Sequence, residues 1–225
     1  MQTRKLAIMA SGDGTNAEAI MRWCHKFPHL AQVVAVLSDH EDAYVLSRAK
    51  NFGVPGLCMP YPKLKADRAA HEEKMSRALL EFGAEWVCLA GFMRILGASF
   101  LQSWKLGELY RVANIHPSLL PAFKGANAYQ DAFDAGVKIS GVTIHLVTEA
   151  LDNGPIVLQK SFPRLEKDDF ATFKSRGRSL EGPLWHEFLE AWSRGHLVGR
   201  STPTGLLQIW NQPAGTGGSD AILSL

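Results

Sequence analysis

The 225-residue sequence is poor in cysteine, in long apolar runs and in blocks of like charge, and each shortage removes a class of function. Its 3 cysteines, Cys24, Cys58 and Cys88, are far apart and odd in number. No CxxC pair, HExxH or other compact ligand spacing occurs, so metal binding has no support in the sequence. Cys88 lies in the apolar run Trp86-Val87-Cys88-Leu89-Ala90 and reads as a small buried hydrophobe. Nothing approaches the roughly 20 apolar residues that span a bilayer, so no membrane association is expected. The opening MQTRKLAIMASGDG has too short an apolar stretch for a secretory signal, and a glycine turn interrupts it. A reducing cytoplasm is the expected compartment. The formal net charge is +2, which excludes a basic nucleic-acid footprint while leaving lysines and arginines to hold one small anion.

What is present is ordinary for a globular chain, with 46% hydrophobic and 20% charged residues. The length suits one domain, at most two. Short apolar runs alternate with longer helical patterns as far as about Pro163. Strands are expected at 6–10, 32–37, 56–59, 86–90 and 110–115, and helices at 16–26, 43–52, 66–82, 101–105 and 127–135. Gly83 is placed as a helix stop. This βαβα rhythm predicts an α/β fold, a mainly parallel twisted sheet with helices on both faces. Segments 141–147 and 155–162 follow one another across a short loop, which predicts antiparallel late strands. A last long helix is expected over 168–194, broken or kinked at Pro183. Beyond Arg200 the composition turns to that of an extended tail.

Ser11-Gly12-Asp13-Gly14-Thr15-Asn16 lies between the first strand and its helix. Two glycines let backbone N–H groups approach a ligand, and the helix N-terminus adds positive partial charge. That suits a phosphate; a plain tight turn with Thr15 or Asn16 capping the helix is the competing reading. The third glycine of a dinucleotide fingerprint and a GK[ST] step are both missing, which speaks against NAD and ATP.

Asn114-Ile115-His116-Pro117 follows an apolar strand, at the carboxyl end where open parallel sheets bind ligands. Alternation sends Asn114 and His116 to one side. An amide donor beside an imidazole suits the oxyanion formed when an amine attacks a carbonyl; a structural Asn and His at a strand end fit equally. Pro117 and Pro121 suggest a rigid loop. Asp152, in Leu151-Asp152-Asn153-Gly154-Pro155, is a turn former on its own. Its functional reading requires it to meet His116, where its carboxylate would orient the ring and favour its charged form.

Taken together, SGDGTN at 11–16, AGFMRIL at 90–96, NIHPSLLPAFKG at 114–125 and GVTIHLVTEALDNGPIVLQ at 141–159 resemble the folate-dependent formyltransferase family. The likeness spans roughly residues 5–195. It implies a formyltransferase domain over 1–199 with 200–225 as a C-terminal extension. It also implies transfer of the formyl group of 10-formyltetrahydrofolate to the amine of glycinamide ribonucleotide, in purine biosynthesis. Asn114, His116 and Asp152 fall on the family's catalytic positions: the first two would stabilise the oxyanion, and Asp152 would keep His116 charged and assist proton transfer. Gly14, Thr15 and Asn16 would cradle the ribonucleotide phosphate with help from Arg178, and Glu181 would touch the ribose. Met93, Arg94, Ile95 and Leu96 would wall the folate ring, with Asn114 beside it and Thr148, Glu149, Ala150 and Leu151 closing over it. His145 matches a histidine near the site or an ordinary strand residue, and Pro117 is a further candidate. Small-molecule substrates and a monomer or homodimer are implied.

The family commonly follows its glutamate with histidine and then tyrosine-proline, whereas this chain has Glu181-Gly182-Pro183-Leu184-Trp185-His186. That departure bears on the ribonucleotide side. The alternatives within the superfamily are a formyltetrahydrofolate deformylase, which AFKGANAYQDAFDAGVK also resembles, and formyltransferases acting on an amino sugar nucleotide or on methionyl-tRNA. Outside it stands a non-catalytic phosphate-ligand-binding domain.

Overall fold

The computed structural model describes residues 2–201, 207–212 and 223–224. They divide into two compact units, Met1–Asn114 and Ile115–Leu225. The fold class is α/β, with mainly parallel strands, helices around them and an antiparallel pair late in the chain.

The first unit is built on β1 (Arg4–Met9), β2 (Ala31–Ser38), β3 (Gly56–Cys58), β4 (Trp86–Leu89) and the start of β7 (Val112–His116). β1 pairs in parallel with β2 on one side and β4 on the other, β2 with β3, and β4 with β7. Leu6, Ala7, Ile8 and Met9 are wholly buried, which is why the strand reads as an unbroken apolar run rather than an alternating one. The helices are α1 (Thr15–Lys26), α2 (Tyr44–Asn51), α3 (Arg68–Glu81) and the short α4 (Ala98–Leu101). α1 buries Ala17, Ile20, Met21 and Cys24, an i, i+3, i+4, i+7 stripe. Gly83, at a left-handed φ of 77°, sits just past the end of α3 as a stop. Strand order reverses at β1, so the loops after β1 and β4 flank a switch point, the usual ligand crevice of an open parallel sheet.

Two boundaries differ from the sequence expectation. The helix placed at 101–105 starts earlier, as α4 followed by a 3-10 turn over Gln102–Trp104, because Phe100, Leu101 and Trp104 are what the segment buries. The strand expected over 110–115 falls on two strands, the end of β6 (Leu109–Tyr110) and β7, and β6 belongs to a separate sheet. β5 (Lys105–Leu106) and β6 form a small antiparallel hairpin across Gly107-Glu108, with Gly107 at φ 58°. A glycine at the first turn position suits a two-residue hairpin.

The second unit holds the rest of β7, α5 (Ala128–Asp134), β8 (Ile139–Leu146), β9 (Ile156–Pro163) and α6 (Phe170–Ser193). β8 and β9 pair antiparallel, with a register shift between Ile144 and His145. α6 packs on this hairpin, with Phe173 against Phe162 of β9, and buries Leu184, Trp185, Phe188, Leu189 and Trp192. Its N-cap Asp169 accepts from the Thr172 N–H at 2.7 Å. Pro183 does not end this helix. It lies on an exposed face, where water can satisfy the carbonyl its missing N–H leaves free. Part of the stretch read as a tail is paired strand: β10 (Leu197–Ser201) runs antiparallel to β11 (Leu207–Asn211) and to β12 (Leu223–Ser224). Residues 202–206 and 213–222 lie outside the described residues.

Among the described residues no helix is long and apolar enough to cross a membrane, and no cluster of ligating side chains could hold a metal.

Candidate active site

His116 ends β7 with its ring buried, and a loop leads from it to α5. That loop is tied to the β8–β9 hairpin. The Thr143 hydroxyl donates to the Ser118 carbonyl at 2.6 Å and accepts from the Leu120 N–H at 3.1 Å, while Gln159 Nε2 donates to the Leu120 carbonyl at 3.0 Å. Thr143 and Gln159 thus tie the loop that carries Pro117 and Pro121 to the hairpin.

Asp152 approaches from the loop between β8 and β9. Its backbone is left-handed, φ 47°, and its side chain is 8% exposed. Oδ2 lies 3.5 Å from His116 Nδ1 and accepts a hydrogen bond from the Gly125 N–H at 2.8 Å. Oδ1 lies 3.7 Å from His145 Nε2. On the far side of the first ring, His116 Nε2 donates to the Phe123 carbonyl at 2.8 Å. Nearby, Gly154 comes so close to the hairpin that a Cβ there would stand 1.8 Å from the Leu146 carbonyl oxygen. Glycine at 154 is thus a requirement of the turn that presents Asp152.

His145 Nδ1 is 2.9 Å from the Leu146 carbonyl, which can only accept, so the ring's proton sits on Nδ1 and Nε2 faces Asp152. Burial pushes the His145 pKa below the ordinary histidine value, against the opposing pull of the Leu146 carbonyl and the Asp152 charge. The buried carboxylate therefore lies between two imidazoles, those of His116 and His145.

Farther along, Arg178 is exposed and Glu181 half-buried on α6. The Tyr129 hydroxyl donates to Glu181 Oε1 at 2.8 Å. Burial and the adjacent Glu181 charge push the Tyr129 phenol far above its ordinary pKa, so it stays a donor. Gly177 makes this contact possible, since a Cβ there would lie 2.4 Å from the Tyr129 ring. Thr148 bonds the Ala150 carbonyl at 3.1 Å, and Glu149, Ala150 and Leu151 are exposed. Pro117 is half-buried directly after His116.

In the first unit, Gly14 at φ 73° is the N-cap of α1, and neither Thr15 nor Asn16 caps the helix with its side chain. A Cβ on Gly14 would meet Val45 Cγ2 at 2.5 Å. Arg48 Nε braces the turn by donating to the Asp13 carbonyl at 2.7 Å. Thr15 is exposed and Asn16 half-buried. Asn114 is half-buried on β7, paired in register with Leu89. In the segment after β4, Met93 and Ile95 are 65% and 67% exposed, Arg94 is exposed, and Leu96 is buried beneath them.

Sequence reasoning missed the backbone groups of Phe123 and Gly125 and the phenol of Tyr129. Only Gly125, in a short Lys-Gly step, carried any local signal; Phe123 takes a left-handed φ of 52° that nothing in its residue type announces.

Comparison with known proteins identifies the family. The model of the formyl transferase family matches residues 4–189. Phosphoribosylglycinamide formyltransferase of Bacillus subtilis is 38% identical over 178 residues, covering 79% of this chain and 89% of that protein. The trifunctional purine biosynthetic protein adenosine-3 of Bos taurus is 36% identical over 191 residues, 85% of this chain but only 18% of that much longer protein. Among solved structures, glycinamide ribonucleotide transformylase 1 from Symbiobacterium toebii superposes with a TM-score of 0.81 at 36% identity, covering 92% of this chain and 94% of the other. With residues 4–189 matched, from β1 into α6, the chain belongs to the formyl transferase family.

Proposed function

We propose that the protein transfers the formyl group of 10-formyltetrahydrofolate to the amine of glycinamide ribonucleotide, in the cytoplasm, with residues 1–199 as the catalytic portion. The observation that carries this reading is the buried Asp152 carboxylate, 3.5 Å from His116 Nδ1 and anchored by the Gly125 N–H. A family match over residues 4–189, and the names borne by relatives that align nearly end to end, support the choice of substrates.

In the proposed reaction the ribonucleotide amine attacks the formyl carbon, a C–N bond forms, and the carbonyl oxygen becomes an oxyanion. The Asn114 amide and His116 Nδ1, the ring nitrogen not committed to the Phe123 carbonyl, donate to that oxygen, a placement of charge that serves the transition state more than the ground state. Asp152, aimed by the Gly125 N–H and 3.5 Å from His116 Nδ1, takes the proton from the attacking amine. The proton is returned to the folate nitrogen as its bond to the formyl carbon breaks, leaving formylated ribonucleotide and tetrahydrofolate.

Gly14, Thr15 and Asn16 hold the phosphate by backbone donors at the start of α1, helped by Arg178, and Glu181 accepts from a ribose hydroxyl. The exposed Met93 and Ile95 side chains, above a buried Leu96, suit the flat apolar face of a reduced folate ring. Thr148, Glu149, Ala150 and Leu151 cover that ring.

The test follows tetrahydrofolate formation from 10-formyltetrahydrofolate with and without glycinamide ribonucleotide. Turnover that requires the ribonucleotide is the expected result. Equal turnover without it would replace the transferase with a hydrolase.

A further inference from the structure

We infer that Asp39 and Glu72, two buried carboxylates outside the catalytic set, are positioning residues that fix the backbone of the folate-binding segment 93–97; this rests on the proposed function for the ligand, though not for the fixing itself. The segment has no regular secondary structure, yet it carries Met93 and Ile95 well into solvent. A free loop with that exposure would lose conformational entropy on closing around a ligand, which weakens binding unless the backbone is ordered beforehand.

Three ties supply that order. The Met93 N–H donates to Ser11 Oγ at 2.9 Å. Arg94 Nε donates to Asp39 Oδ2 at 2.6 Å, and the Asp39 side chain is 0% exposed. At the other end the Gly97 N–H donates to Glu72 Oε2 at 3.1 Å, while the other oxygen of Glu72 accepts from the Tyr61 hydroxyl. The two ends are also linked through an aromatic ring, because the Arg94 guanidinium lies 5.5 Å from the centre of the Tyr61 ring.

Stability alone is a poor reason for this arrangement. Burying a carboxylate against an arginine costs desolvation that the pairing roughly offsets, so apolar residues would hold the fold as well. Burial by itself would raise the Asp39 pKa, but hydrogen bonds from Ser11 and Arg94 and the Arg94 charge hold it below the ordinary carboxylate value. Asp39 is thus an anion at neutral pH, and Arg94 has a fixed counter-charge under the loop. What the carboxylates do hold is backbone and the Arg94 stem, leaving the Met93 and Ile95 side chains free to meet a ring.

The experiment compares wild type, Asp39→Asn and Glu72→Gln, both near-isosteric and able to fold. Amide hydrogen exchange is read on the ligand-free protein, alongside KM for each substrate and kcat. The expected result is exchange faster by about tenfold across 93–97, with α3 and β4 unchanged. KM for 10-formyltetrahydrofolate should rise about tenfold while KM for glycinamide ribonucleotide and kcat stay within about twofold. Unchanged exchange in the segment overturns the inference, as does loosening spread evenly over the first unit with both KM values raised. Should wild type fail to use formylfolate while the variants still loosen only 93–97, the substrate assignment falls and the positioning role stands.

Discussion

Asp152 Oδ2 lies 3.5 Å from His116 Nδ1 while accepting a hydrogen bond from the Gly125 N–H. The carboxylate is therefore aimed by the chain itself and does not depend on the histidine for its position. Asp152→Asn tests what the charge does. Asparagine tolerates the left-handed φ of 47° as well as aspartate does, and its side-chain oxygen can still accept from Gly125. The expected outcome is a normally folded protein whose kcat falls by about 100-fold or more, the usual scale for loss of a general acid–base group. Steady-state kinetics beside a circular dichroism melt decide it, and near-normal turnover in folded Asp152→Asn sinks the assigned mechanism.

His145 offers a pH test in the same cluster. Its pKa lies below the ordinary value of about 6.5 because burial disfavours the charged ring. As the pH falls through that value, the unfolded chain takes a proton at this position before the folded chain does. Stability from this residue is thus full at higher pH and is lost as the solution is acidified. In urea unfolding at about pH 7.5 and about pH 5.5, His145→Gln should lose less stability on acidification than wild type. An equal loss in both proteins would mean that the burial of His145 is not what sets its proton affinity.

The sequence made the parallel strands of the first unit legible because burial on both faces leaves unbroken apolar runs such as Leu6–Met9. It did not reveal the β5–β6 hairpin, whose four strand residues are too few to show a period, nor the continuity of α6 through Pro183. At the site, residue types pointed to His116 and Asp152, and spacing could not say that they meet. The Phe123 carbonyl, the Gly125 N–H and the Tyr129–Glu181 contact depend on backbone direction and on packing between distant segments. Such contacts leave no local trace, so Glu181 could be nominated by likeness while the phenol that holds it could not.

Arg178 provides a test that distinguishes the two proposed substrates. It is exposed on α6, one residue past the Gly177 that admits the Tyr129 ring. An exposed guanidinium adds little to the fold but can form a charge-assisted bond to a phosphate. Arg178→Ala should raise KM for glycinamide ribonucleotide by about tenfold, with kcat and KM for 10-formyltetrahydrofolate nearly unchanged. Equal changes for both substrates, or for neither, would remove Arg178 from the phosphate site.

Gly14 allows the backbone geometry of the proposed phosphate turn to be tested. Its φ of 73° suits glycine, and an added Cβ would stand 2.5 Å from Val45 Cγ2, so alanine there meets both strain and a clash. Left-handed strain costs about 1 kcal/mol, and overpacking adds about 1–3 kcal/mol. Gly14→Ala is therefore expected to lower unfolding stability by about 2–4 kcal/mol in urea titration. Val45 is the obstacle, so Val45→Ala in the Gly14→Ala background should restore the overpacking share and leave the strain. Because the same turn is the proposed phosphate site, the single variant should also bind glycinamide ribonucleotide more weakly under conditions where it remains folded. A stability loss below about 0.5 kcal/mol, the scale of a neutral surface change, would mean that the turn relaxes without cost and that its glycine is there for the ligand alone.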